Sequence, residues 1–202
     1  MRTRIPSLHR GSKIILMFLL FAGLSFPAYG NTTIEKNVLE LTYSSRAAIL
    51  KFRPADVTLP GETYRVDLLV GRKFSSLTGY LYLKGDNHHG RWLGARLDTP
   101  VPFASPALKA NLQLRYFQGM NPSSVNHYYV IPSVYYSIGD KHPVYVGFFG
   151  LGKKNLRGSA TFYAGPAVVI PITSAIRIRL SYGENVLGKG ALLYLKLNVD
   201  IH

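Results

Sequence analysis

Apolar residues recur at every second position along almost the whole chain, and this restricts the fold more than any other feature. Tyr64, Val66, Leu68 and Val70 alternate with Thr63, Arg65 and Asp67. Leu108, Ala110, Leu112, Leu114 and Tyr116 alternate with Lys109, Asn111, Gln113 and Arg115. Ile176, Ile178, Leu180 and Tyr182 alternate with Arg177, Arg179 and Ser181, and the chain closes on Leu193, Leu195, Leu197, Val199 and Ile201 against Tyr194, Lys196, Asn198 and Asp200. Successive strand side chains point to opposite faces, so each segment has one apolar and one polar face. After residue 30 no segment carries a sustained helical stripe, and the expectation is an all-β chain.

Alternation serves two opposite designs. A soluble barrel or sandwich hides the apolar face, whereas a transmembrane barrel turns it to lipid and keeps the polar face in its lumen. Three features favour the second. The segments 126–140 and 189–202 are long enough for the roughly 9–11 residues an oblique crossing needs, while strands average about 5–6 in soluble folds. Ten strands are expected, near 37–52, 62–73, 77–84, 91–98, 107–118, 126–139, 143–150, 159–171, 174–183 and 189–202, with eight as the fallback. Their connections alternate between tight turns and longer polar loops, apart from the proline-stiffened 99–106. Tyr43, Tyr64, Tyr80, Tyr82, Tyr116, Tyr136, Tyr163 and Tyr182 fall mostly near strand ends, where interfacial aromatics gather.

The first thirty residues read as an address. Arg2, Arg4, Arg10 and Lys13 precede an apolar run from Ile14 to Leu24, and Ala28-Tyr29-Gly30 offers small residues for cleavage after Gly30. This is the layout of a secretory signal peptide, and the run is too short for a spanning helix of about 20 residues. Its removal leaves a 31–202 domain. Lys and Arg outnumber Asp and Glu by 24 to 10, but four of those cations leave with the leader. The rest are scattered singly along an exported chain, so nucleic acid is excluded as a partner. With no cysteine there is no disulfide, thiolate metal site or cysteine nucleophile.

With the alternating strands, the tight turns and the last strand from Gly190 through Leu193 and Leu195, residues 31–202 resemble the small bacterial outer-membrane β-barrel proteins as a class. The likeness is one of architecture, and the chain departs from the class by ending in Ile201-His202 rather than an aromatic residue. It implies a closed antiparallel up-and-down barrel with both termini in the periplasm, an even strand number, and insertion by the barrel-assembly machinery.

If the apolar register meets lipid, the other register is the lumen. Glu40, Arg65, Asp67, Lys109, Arg115, Arg177, Arg179, Lys196 and Asp200 are the expected lining. They could form a rigid ladder of ion pairs, or Arg115, Arg177 and Arg179 could select anions in a narrow path. Unitary conductance distinguishes the two. In or beside the longer loops, Lys84, Arg91, Lys153, Lys154, Arg157 and Lys189 are candidates for contact with lipopolysaccharide phosphate. A lipid-modifying enzyme is the alternative. Its weak constellation is Asp86 with His88 and His89, approached by Ser123, Ser124 or Glu184, but the Gly85-to-Gly90 stretch is equally a turn. No metal or cofactor is expected. A last alternative, a soluble lipocalin-like barrel, requires the leucine face inside and the Arg177/Arg179 face in water.

Overall fold

A computed structural model describes residues 33–61, 63–103, 105–122, 124–139 and 143–201. The leader expected over 1–30, and Ser123, lie outside the described residues. Those described form eleven strands: β1 (Thr33–Ser44), β2 (Ile49–Leu59), β3 (Thr63–Phe74), β4 (Leu77–Asp86), β5 (Arg91–Val101), β6 (Leu108–Gly119), β7 (His127–Ile138), β8 (Val144–Asn155), β9 (Ala160–Pro171), β10 (Ile176–Asn185) and β11 (Ala191–Ile201). Each pairs antiparallel with its sequence neighbour, and β1 closes the barrel against β11. The up-and-down barrel agrees with the alternation. The number of strands does not.

Eleven strands replace ten because the expected first strand, 37–52, is two. The turn at 45–48 holds no Gly, Pro or Asn to mark it. Ser45 closes it alone, its backbone N–H donating to the Ala48 carbonyl at 2.9 Å and its Oγ accepting from the Ala48 N–H at 3.1 Å. Conversely, most of the expected first loop, Arg53 to Gly61, is strand, since β2 runs on to Leu59. The pairing of β2 with β3 shifts between Arg53 and Asp56, and this bulge takes up Pro54, which has no N–H to give a ladder.

An odd count has a geometric consequence. Alternating strands bring the first and last to closure running the same way, so the β1–β11 pair is parallel, with Leu39 opposite Leu197 and Glu40 opposite Asn198. The two ends of the barrel chain therefore lie at opposite rims, in contrast to the shared side that an even barrel implies. At the first rim, where β1 begins, the connections are 60–62, 87–90, 120–126, 156–159 and 186–190. At the second they are 45–48, 75–76, 102–107, 139–143 and 172–175. The expected contrast between long and short loops is slight once β2 is counted as a strand.

The strands run ten to twelve residues each. From β2 to β10 the apolar register faces outward and, outside β9 where Phe162, Val168 and Ile170 are half-buried, is largely exposed: Val66, Leu68, Val70, Leu83, Leu93, Leu114 and Val146 all are, with Leu81 at 69% and Phe148 at 61%. Leu39, Leu195, Leu197 and Val199, on the outer register of the closing pair, are buried. Tyr43, Tyr64, Tyr116, Tyr136 and Tyr182 point outward near strand ends. Tyr80, Tyr82 and Tyr163 do not join them. They sit on the opposite register and are buried inside.

Candidate functional site

The inner register encloses a cavity of about 540 Å³. Its wall carries Lys36, Lys51, Arg65, Lys84, Arg96, Arg115, Arg177, Arg179 and Lys196, against the carboxylates of Glu40, Asp56, Asp67 and Asp200. Buried Arg53 and half-buried Asp98 lie beside it. Cations thus exceed acids inside as they do along the chain.

The pairs form from the closing strands outward. Glu40 of β1 gathers three cations from β2 and β11: Arg53 Nε at 2.6 Å, Lys196 Nζ at 2.9 Å and Lys51 Nζ at 3.6 Å. Arg53 reaches on to Asp67 of β3 at 3.2 Å and donates to the Tyr82 hydroxyl at 2.6 Å, which itself donates to Asp67. Lys36 pairs with Asp56 at 2.7 Å, and Arg96 forks onto Asp98, which also accepts from Gln113 at 2.7 Å. Arg177 pairs with Asp200 at the second rim. Charges held in a dry interior are stable only when paired and hydrogen-bonded, and this network gives each of these acids an ion pair, although Asp67 Oδ1 stays buried without a hydrogen-bond partner.

It does not give one to every cation. Among the described residues, Arg65, Lys84, Arg115 and Arg179 form no ion pair. Arg115 Nε donates to Gln113 at 2.7 Å. Arg179 donates to Ser181 at 3.1 Å and lies over the rings of Phe149, Tyr194 and Tyr135 at 5.3, 5.6 and 5.7 Å. Arg65 has one long contact, 3.4 Å to Thr58 Oγ1, and its Nε is buried without a hydrogen-bond partner.

The expected lining residues therefore divide. Arg65, Asp67, Arg115, Arg177, Arg179, Lys196 and Asp200 line the cavity, but Arg177 is engaged by Asp200, so it does not stand free beside Arg115 and Arg179. Lys109 shares their register yet is exposed at the second rim, bonded to the Tyr145 hydroxyl at 3.2 Å. Arg53 and Arg96 were missed. The alternation of Ile49, Lys51 and Arg53 with Leu50 and Phe52 carried the signal for the first, and the adjoining Pro54 obscured it.

The loop cations divide too. Arg91, Arg157 and Lys189 are exposed at the first rim, and Lys154 there donates to the Gly158 carbonyl at 2.8 Å. Lys84 is instead inside the barrel, its Nζ 4.6 Å from the Trp92 ring centre, 4.9 Å from that of Phe117 and 3.5 Å from His127 Nε2. Lys153 lies opposite Tyr129 on the inner register and is half-buried. Both were expected at the rim, and the reason is the same for each: the strand continues past the Gly85 or Gly152 beside it.

The constellation in 86–90 is a turn. Asp86 Oδ1 accepts the backbone N–H groups of His88 at 3.0 Å and Gly90 at 2.8 Å, while the rings of His88 and His89 are exposed. Ser124 Oγ accepts from the Arg91 N–H at 2.8 Å, and Glu184 is exposed on the outer register of β10. These contacts hold loops together and do not assemble a nucleophile with a base. No group of three potential metal ligands occurs among the described residues.

Loops 87–90 and 120–126 lean on each other through Asn121 Nδ2 to the His89 carbonyl at 2.5 Å and Trp92 Nε1 to the Val125 carbonyl at 3.1 Å. Trp92 and His127 are buried beneath them, beyond the cavity wall. At the second rim the lining reaches Ser44, Arg177, Asp200 and Ile201, so the cavity extends toward that end. No protein-family model matches this chain, and no curated protein matches it.

Proposed function

We propose that the chain is an integral barrel of a bacterial outer membrane, with a structural role or that of a narrow path lined by cations. One observation carries the reading: the outward face from β2 to β10 is the apolar register, while the charged register is inside. An apolar exterior of that extent is costly in water and suits a bilayer. The soluble lipocalin-like alternative needed Arg177 and Arg179 outside, and they line the cavity instead. Strands of ten to twelve residues match the roughly 9–11 of a spanning β-strand. Exposed Tyr64, Tyr116 and Tyr182 near one rim, and Tyr43 and Tyr136 near the other, suit two interfacial belts. The expected leader supplies an export route, the barrel-assembly machinery an insertion partner, and Arg91, Lys154, Arg157 and Lys189 a rim that pairs with lipopolysaccharide phosphate.

The test is electrophoresis of an outer-membrane fraction with and without boiling in detergent, with lipopolysaccharide assayed in the purified protein. The expected outcome is a mobility shift on boiling, and loss of co-purified lipopolysaccharide when Lys154, Arg157 and Lys189 are changed together to Gln. Recovery of the protein in the soluble periplasmic fraction, with no shift, overturns the membrane assignment.

A further inference from the structure

We propose that the cavity is a binding site for a small polyanion, whose acidic oxygens are held between Arg65 and Lys84. The two side chains stand on the inner faces of adjacent strands. Arg65 lies opposite Asp86 and Asp67 opposite Lys84, so they are diagonal neighbours about 7–8 Å apart along the sheet. The acids nearest them are engaged elsewhere: Asp56 by Lys36, Asp67 by Arg53 and Tyr82, and Asp86 by the backbone N–H groups of His88 and Gly90. The Nε of Arg65 is buried without a partner, and Lys84 has two aromatic faces and a histidine nitrogen around it. A buried donor left unmade costs free energy that an acceptor oxygen would recover.

Charge and shape point to the same kind of occupant. Arg115 and Arg179, facing the same space, likewise meet only neutral acceptors. Several unpaired cations around one cavity are better answered by one ligand with several oxygens than by single halide ions. The planar guanidinium fork suits a phosphate or a carboxylate, which two N–H groups can hold together. A volume of about 540 Å³ is within the range of small-molecule sites. The lining reaches Ser44, Arg177 and Ile201 at the second rim, the end from which a ligand would enter. Such a site needs only the barrel and its cavity, whether or not the barrel sits in a membrane.

The experiment is calorimetric titration of the purified protein with pyrophosphate and, separately, with citrate. Saturable binding of at least one is expected. Its Kd should weaken about tenfold or more in the Arg65→Gln, Lys84→Gln double variant, and stay within about twofold in Arg72→Gln, exposed on the outer face of β3. Binding of pyrophosphate alone assigns the ligand to phosphates, of citrate alone to carboxylates, and of both to polyanions in general. If neither binds the folded wild-type protein, or the double variant binds as tightly, the proposal is overturned. Should the double variant fail to fold, the wild-type protein decides through phenylglyoxal modification of Arg65, read by peptide mass. Saturation with whichever of the two anions binds is expected to slow it about tenfold, and an unchanged rate overturns the site. Loss of the boiling shift counts against the membrane reading alone, and loss of the isotherm against the cavity site alone.

Discussion

Glu40 is the residue on which most of the interior charge depends. It is buried and faces Arg53, Lys51 and Lys196 on the strands to either side. Removing one member of a buried pair leaves its partners charged and dry, at about 3–5 kcal/mol. Glu40→Gln is accordingly expected to destabilise the folded barrel by about that amount, read as a lower urea midpoint for the form that shifts on boiling. An unchanged midpoint would mean that Arg53 is held by Asp67 and Tyr82 alone. Glycine marks the packing limit at the same scale. A Cβ on Gly71 would lie 2.2 Å from the Tyr80 ring and 2.5 Å from the Gly79 carbonyl, so the ring fills the lumen only because that position is bare.

Element by element, the two registers of a strand live in different surroundings, and β4 shows it most sharply. Tyr82 is 1% exposed, and Leu81 beside it is the most exposed large apolar side chain among the described residues, at 69%. Leu81 is mid-strand, at the depth where an arginine on a lipid-facing position costs about 2–4 kcal/mol. Leu81→Arg is therefore expected to reduce the yield of folded, membrane-inserted barrel strongly. A soluble barrel would tolerate the same change, since there Leu81 would already be in water. Fractionation of cells making the variant separates the two. Strand identity was readable where alternation is unbroken, as in β3, β6, β10 and β11. It was lost in β1 and β2, where a serine alone makes the turn and a bulge hides a proline inside a strand.

The parallel closure belongs to the molecule as a whole. Leu41 of β1 lies opposite Val199 of β11 only if the strand count is odd and the register is that of the closed barrel. The chain has no cysteine, so a Leu41→Cys, Val199→Cys double variant has one disulfide available. Oxidation is expected to join the first and last strands and to leave a cross-linked band after boiling without reductant, reversed by thiol. A barrel closed by an antiparallel pair in another register would hold these positions apart and give no cross-link. The same closure sets Glu40 beside Lys196, which are 156 positions apart in the chain.

Period-two alternation was enough by itself to determine an all-β chain, and it assigned Arg65, Asp67, Arg115, Arg179 and Lys196 to one register, because side-chain direction in a strand follows from position alone. It could not say which register is inside, since a barrel and its inverse have the same period. Only closure of the sheet decided that, along with the number of strands, the direction of the last pairing and which cations have partners. Those properties depend on contacts between residues far apart in the chain, and no local pattern records them. Lys84 and Lys153 illustrate the difference: each looks like a loop cation beside its glycine, and each becomes an interior one when the strand through it is paired on both edges.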